Sequence, residues 1–311
     1  MLLTRTFCKM SNSFKSGFVG IIGQPNVGKS TLLNRILKQH LAIVSPKAQT
    51  TRNQIKGIYT TDTEQIVFVD TPGVHKPHHE LGNYMNEMVN TAVEGLDVIL
   101  FMVDASKKPT EADDNALKVI VKAKCPVFLV LNKVDLITSV EQLENNIELY
   151  KAMYNFKGGI TISAANDSGI DKLLDMIVEN LPIGPLYYPY DQALDASERF
   201  VVAEIIREKI LLLTSEEVPH SVAVTIESFK ENIKHKNMYD ILATIIVERP
   251  SQKKIIIGAG GEMIKKIGTL ARTDIVKLLD KKVYLELFVK VEPNWRNNKQ
   301  QLKELGYKIQ K

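Results

Sequence analysis

Cysteine is scarce: Cys8 and Cys125 are the only two in 311 residues. They show no metal-ligand spacing and make no disulfide framework, which excludes the stapled secreted scaffolds and favours a reducing compartment. Long hydrophobic runs are missing as well. The longest, VILFMV at 98–103 and VFLVL at 127–131, fall far short of the ~20 apolar residues of a membrane span. They are better assigned to buried strands. No internal repeat or low-complexity tract breaks the chain. Acid is absent from residues 1–17, which hold Arg5, Lys9 and Lys15. That faintly resembles an organellar transit peptide; the favoured alternative is a start at Met10, with nine unstructured residues ahead of it.

What is present fits a soluble globular chain of about two domains. The composition is 44% hydrophobic and 24% charged. Charge is unevenly placed. Residues 1–180 carry 19 Lys and Arg against 19 Asp and Glu, whereas 251–311 carry 14 against 6. The basic excess at the C-terminal end predicts a polyanionic partner there.

The first half alternates strand and helix patterns. Strands are expected at 18–22, 54–59, 65–70, 98–104, 127–132 and 159–163, with helices at 29–38, 83–94, 111–122, 140–153 and 169–180. Short apolar strands between amphipathic helices predict an α/β fold, a doubly wound, mainly parallel sheet covered on both faces. Ligands of such sheets bind at the carboxyl ends of the strands. The stretch LPIGPLYYPYD at 181–191 holds three prolines and a glycine, so it is expected to be an extended linker. Beyond it lie a helix at 197–213, strands at 221–229 and 239–248, a helix at 262–280 and a strand at 282–291. The polar segment from 294 onward is expected to be helical.

GQPNVGKS at 23–30 fits G-x-x-x-x-G-K-[ST] between a strand and a helix, the setting this phosphate loop requires. Gly23 and Gly28 let the stretch Gln24-Pro25-Asn26-Val27 curl around the phosphates so that its backbone amides face their oxygens. Lys29 can neutralise the β- and γ-phosphates, Ser30 offers its hydroxyl to magnesium, and Thr31 stands near the α-phosphate. NKVD at 132–135 supplies the base. The Asp135 carboxylate accepts from the two donors of guanine, and adenine would leave buried groups unpaired. Asn132 can tie this loop to the phosphate loop, and the Lys133 stem can lie over the base. In ISA at 162–164, the Ala164 amide can meet the guanine carbonyl, and Ser163 beside it is a candidate GTP-binding residue.

Between these motifs, DTPG at 70–73 follows a strand. Asp70 is suited to hold magnesium through water, the Gly73 amide can touch the γ-phosphate, and Thr71, Pro72 and Val74 beside them are further candidate GTP-binding residues. Upstream, KAQTTRN at 47–53 offers a hydroxyl to the magnesium, with Thr51 favoured over Thr50. Lys29, Thr51 and Gly73 are the candidate catalytic groups. Val74 stands where many GTPases carry a water-orienting glutamine, and an apolar side chain cannot do that work. Slow intrinsic turnover is therefore expected. Asn26 either ligates a monovalent cation such as potassium or stabilises the loop's turn. His75, His78 and His79 are expected in an exposed loop, without a catalytic role.

A second glycine cluster lies in KKIIIGAGGEMIKKIG at 253–268. Met263 breaks both G-x-x-x-x-G-K and G-x-G-x-x-G, leaving G-x-x-G from Gly258 to Gly261, ahead of a helix with Lys265 and Lys266. Such a loop suits a nucleic-acid backbone. The order helix–strand–strand–helix–strand and the local charge suit a KH module, which clamps about four nucleotides of single-stranded RNA.

Taken together, the motifs GQPNVGKST, KAQTTR, VDTPG, NKVD and ISA, then IIIGAGGEMIKKIGTLAR, VYLELFVKVEPNW and LKELGY, resemble the Era family of bacterial GTPases after residue 10. The resemblance implies a P-loop GTPase domain at 17–181 behind an extension at 1–16. A linker at 182–196, an α+β type II KH domain at 197–291 and a basic helical tail at 292–311 would follow. It implies a magnesium-dependent monomer that binds GTP and GDP. It also implies contact with the 3′ end of 16S rRNA and the 30S subunit, a role in their maturation, and a cytoplasmic place with peripheral contact at the inner membrane face. A passive RNA-binding assembly chaperone with negligible turnover is the alternative. One departure concerns the loop interior, Ala259-Gly260, where the family commonly carries a basic residue. Phosphate contact then falls to backbone amides with Lys253, Lys254, Lys265 and Lys266.

Overall fold

A computed structural model describes residues 14–308, apart from 40, 41, 46, 48, 49, 75, 76 and 78. The N-terminal extension, Ala48, Gln49, His75 and His78 thus lie wholly or mainly outside the described residues. β1 (Lys15–Ile22), α1 (Lys29–Leu37), β2 (Ile55–Thr60) and β3 (Glu64–Asp70) open the first unit. α2 (Glu80–Val93), β4 (Val98–Asp104), α3 (Glu111–Ile120), β5 (Val127–Asn132), α4 (Val140–Met153), β6 (Gly158–Thr161) and α5 (Ile170–Asn180) complete it. The strands pair in the order β2-β3-β1-β4-β5-β6. Every pair is parallel except β2 with β3. The few residues between those two strands cannot span a parallel crossover, so the edge strand must turn back.

All seven residues of β4 are buried, as the apolar run VILFMV requires of a strand covered on both faces. On one face Leu32, Leu33 and Ile36 of α1 pack over Ile66, Phe68 and Leu100. On the other, Val89, Leu117 and Tyr150 cover Ile99, Phe101 and Leu129. Parallel register then aligns the carboxyl ends: Ile21 is paired with Asp70 and Asp104 with Asn132. The residues that follow β1, β3, β4 and β5 therefore meet along one edge.

The proline-rich connection is strapped to this unit rather than free. Ser16 donates its amide to Pro182 and Gly184 donates to the Phe14 carbonyl. The buried Gln65 side chain accepts from the amides of Tyr187 and Tyr188, and Tyr187 packs on Phe18 with ring centroids 5.0 Å apart.

The second unit comprises α6 (Glu198–Leu213), α7 (Val218–Ser221), β7 (Ala223–Glu231), β8 (Met238–Val247), α8 (Pro250–Ile257), α9 (Glu262–Leu279), β9 (Lys282–Val291) and α10 (Lys299–Glu304). Its sheet runs β7-β8-β9, with β7 antiparallel and β9 parallel to β8. Ile206 and Ile210 of α6 and Ile267, Ala271 and Ile275 of α9 cover Ile241, Ala243 and Ile245. The order differs from the sequence expectation by two helices, α7 ahead of β7 and α8 ahead of the glycine loop. The apolar run before the glycines is the end of helix α8, started by Pro250 and the capping side chain of Gln252, so helices flank the loop on both sides.

The tail also differs from a solvated basic segment. Trp295 is fully buried, and Leu302 and Tyr307 pack with it against Leu81, Tyr84 and Met85 of α2. Three large side chains in a polar stretch thereby wedge the C-terminus against the first unit.

Candidate functional site

The phosphate loop is built where nothing larger than glycine fits. A Cβ on Gly23 would stand 2.2 Å from the Met102 carbonyl, and one on Gly28 (φ +107°) would stand 2.2 Å from Asn132 Nδ2. Lys29 is buried, with Nζ donating to the carbonyls of Gly23 (3.1 Å) and Gln24 (2.8 Å). Burial lowers its pKa to about 8, and the nearby Asp70 charge only partly offsets that. Gln24 donates to Thr110 Oγ1. Asn26 lies exposed at the loop tip with φ +64°.

Three oxygens converge beside the loop. Ser30 Oγ lies 3.0 Å from both Thr51 Oγ1 and Asp70 Oδ2, and Thr51 Oγ1 lies 3.3 Å from that same carboxylate oxygen. Thr50 is not part of this cluster; its carbonyl accepts from Arg207 instead. Asp70 is fully buried and its Oδ1 has no hydrogen-bond partner. Burial is the strongest influence and pushes its pKa up, against Lys29 and the two hydroxyls. A buried carboxylate oxygen without a donor, beside two hydroxyls and an ammonium, fits a water-coordinated divalent cation. Among the described residues no group of three or more His, Cys, Asp and Glu is placed to hold a metal ion.

DTPG approaches the phosphate loop closely: a Cβ on Gly73 would sit 2.7 Å from Pro25 N. Thr71 is buried and donates to the Ile21 carbonyl. Val74 is buried in the apolar cluster of Ile22, Val89 and Val93, so its side chain supports α2. His79 precedes α2 in extended conformation and is half-buried.

The base loop is tied to the phosphate loop as expected. Asn132 Nδ2 donates to the Val27 carbonyl at 2.7 Å. Asn132 Oδ1 accepts from the Ala164 amide at 2.9 Å, which orients the Asn132 side chain. Asp135 is exposed, and one of its oxygens accepts from Ser163 Oγ. Lys133 has φ +66° and reaches Asp104 Oδ2 at 2.8 Å. Burial alone would raise the Asp104 carboxyl, but hydrogen bonds from Lys133 and Ser106 outweigh it and hold it low. Asp104 carries no motif signal beyond its place at the end of β4, and sequence reasoning missed it.

The second glycine loop protrudes. Gly258, Gly260 and Gly261 all have positive φ, and a Cβ on Gly260 or Gly261 would meet nothing within 4 Å. Ala259 is exposed, as are Lys254, Lys265 and Lys266, while Lys253 is half-buried. Gly258 (φ +74°, ψ +173°) turns the chain out of α8, and a Cβ there would lie 2.7 Å from that of Met263. The open backbone and the lysines that flank it in the chain, on α8 and α9, are the candidate cationic rim.

Sequence reasoning also missed what joins the two sites. Arg52, the residue after Thr51, is 1% exposed. Its guanidinium donates to the carbonyls of Val222 (2.6 Å), Pro219 and His220 (both 3.2 Å) in the second unit. It also lies 5.9 Å from the Trp295 ring centroid. From α6, Arg207 forks onto Glu204 and donates to the Thr50 carbonyl. No spacing rule marks either arginine.

Known proteins carry the same combination. Residues 18–133 match the family described as 50S ribosome-binding GTPase, and residues 217–296 match the KH domain. The chain is 50% identical to GTPase Era of Geobacter metallireducens over 95% of its own length and 99% of that protein's. It superposes with a TM-score of 0.92, at 40% identity and over 95% of this chain and 100% of the other, on Era in complex with MgGDPNP and nucleotides 1506–1542 of 16S ribosomal RNA. A variant of Aquifex aeolicus Era bound to GDP·AlF4− gives the same TM-score at 39% identity, again over 95% and 100% of the two chains. With a phosphate loop, a guanine loop and a KH module in one continuous match, the chain belongs to the Era family of GTPases.

Proposed function

We propose that this GTPase is a nucleotide switch that binds the 3′ end of 16S rRNA through its KH domain and acts in rRNA processing and 30S subunit assembly. The observation that carries it is the adjacency of Thr51, in the Ser30–Asp70 cluster, and Arg52, buried in the second unit. Whatever moves residue 51 must move residue 52. The related complex with MgGDPNP and 16S rRNA nucleotides supports the choice of RNA and of magnesium.

In this reading Ser30 and Thr51 give hydroxyl ligands to magnesium and Asp70 holds it through water. The metal, when bound, neutralises charge on the β- and γ-phosphates. Lys29 exchanges its two carbonyl partners for phosphate oxygens. Gly73 keeps the backbone of DTPG against the phosphate loop. Asp135 and the Ala164 amide read guanine, Asn132 ties the base loop to the phosphate loop, and Lys133 is stretched by Asp104 into position to cover the base. Gly258–Gly261 with Lys253, Lys254, Lys265 and Lys266 grip the RNA backbone.

Because Val74 is committed to the core, water must be oriented by backbone, a cation or a partner, and Asn26 at the loop tip is the protein ligand proposed for potassium. The same burial favours, as a second reading, an RNA-binding chaperone whose bound nucleotide is barely turned over. Peripheral membrane contact rests on the family resemblance, and among the described residues no helix is long and apolar enough to cross a membrane. The direct test of the switch is RNA affinity in two nucleotide states. A fragment of the 16S 3′ end should bind several-fold tighter with the GTP analogue GDPNP than with GDP. Equal affinities would contradict the switch.

A further inference from the structure

Three consecutive charged residues of α6, Arg207, Glu208 and Lys209, are all buried. Successive helix positions point in different directions, so burying three charges in a row requires partners on more than one side. The first unit supplies one side. Glu208 Oε1 accepts from the Val44 amide at 3.0 Å, in the segment leading to Thr51. The RNA-facing helix supplies the other. Lys209 Nζ lies 2.6 Å from Glu208 Oε2 and 2.6 Å from Asp274 Oδ2 of α9, and α9 starts directly after the G-x-x-G loop.

A line of hydrogen bonds thus runs from residue 44 through Glu208, Lys209 and Asp274 to the helix that follows the RNA clamp. Desolvating three charges is costly, and apolar residues of similar volume would hold such a core at least as well. Burial alone would raise the Asp274 carboxyl, but the hydrogen bond and charge of Lys209 outweigh it and hold it low. The line also borders an open cleft of 740 Å³ lined by Gln39, Val44, Glu208, Lys209, Asp274 and Lys277. Space is therefore available for these side chains to exchange partners.

We infer that Glu208, Lys209 and Asp274 form the relay through which the nucleotide state sets the pose of the RNA clamp. The inference rests on the switch proposed above. Withdrawal of the Val44 amide removes a donor from Glu208, whose carboxylate then draws Lys209 away from Asp274 and releases α9. Discrete rearrangement of a packed polar line is how a small shift at one site reaches another. Lys209 and Asp274 are positioning residues here, and neither belongs to the phosphate loop or the cationic rim.

The test compares the full-length protein with Asp274→Ala and Lys209→Met, measuring affinity for the 16S 3′-end fragment with GDPNP and with GDP. The wild-type ratio of affinities should exceed about fivefold, the lower range of allosteric coupling. In both variants it should collapse toward one, with GDPNP affinity in the absence of RNA unchanged. A merely structural role would weaken RNA binding equally in both states and leave the ratio intact, and that result overturns the relay. Asp274 is partly exposed, so its variant keeps the test decisive if Lys209→Met fails to fold. A wild-type ratio of one would overturn the switch itself before any substitution is made.

Discussion

Lys29 shows how burial tunes a single charge. Its pKa of about 8 lies below the ordinary 10.5 because desolvation outweighs the attraction of Asp70. Between those values the unfolded chain binds more protons than the folded one, so the penalty carried by this group below pH 8 is relieved as pH rises. Phosphate charge favours the ammonium form. GTP binding at pH 9 should therefore take up a fraction of one proton at Lys29, and at pH 7 almost none. Titration calorimetry in buffers of different ionisation enthalpy reads this directly; no difference in uptake between the two pH values would contradict the assignment. Asp135 gives a second residue-scale prediction. Asp135→Asn should weaken GTP by at least about 10²-fold, since the mismatch leaves polar groups unpaired, and should improve xanthosine triphosphate. Unchanged GTP affinity would mean that another group reads the base. Residues of this kind were legible because each motif fixes both spacing and chemistry. Asp104 was not, because its role comes from the register of β4 beside β5, and a lone Asp after a buried strand has no signature. Ala164 was legible in position, whereas the bond of its amide to Asn132 was not, because it depends on how the two loops meet.

Elements were legible where periodicity spoke and illegible where direction or packing decided. β4, β5 and β9 fall within the expected bounds because their apolar patterns are unambiguous. The reversal of β2 follows from its short connection to β3, which cannot cross over, although the strand's own residues carry no mark of direction. The run Ile255–Ile256–Ile257 has a strand-like composition, yet a proline and a capping glutamine make it the end of α8. The loop it leads into supports two predictions. Gly258→Ala forces a Cβ against Met263 in a backbone region almost reserved for glycine, which should cost about 1–3 kcal/mol and lower both thermal stability and RNA affinity. Lys265→Ala combined with Lys266→Ala should weaken RNA binding and flatten its dependence on salt. Loss of two phosphate contacts on a single strand reduces the logarithmic slope by about 1.4. An unchanged slope would place the RNA elsewhere.

At the scale of the whole molecule, the segment around Thr51 is held by Arg52, Arg207 and Glu208, while α2 leans on Trp295 and Tyr307. Sequence gave two modules and their ligand classes. How the modules lock was not legible, because it depends on carbonyls of α7 and on a tail whose polar composition conceals three buried side chains. Arg52→Ala leaves those carbonyls without their donor and should destabilise the protein by about 2–4 kcal/mol. Trp295 is the chain's single tryptophan and is fully buried beside Arg52, so its fluorescence should shift to the red in that variant before global unfolding. The central claim is that GTP turnover and RNA engagement belong to one switch. It is tested most directly by measuring GTP hydrolysis with and without the 16S 3′-end fragment, in potassium and in sodium. Slow turnover of the free protein, changed by the fragment and faster in potassium, is the predicted result. No turnover under any of the four conditions, with RNA binding intact, would contradict it and leave a passive RNA chaperone.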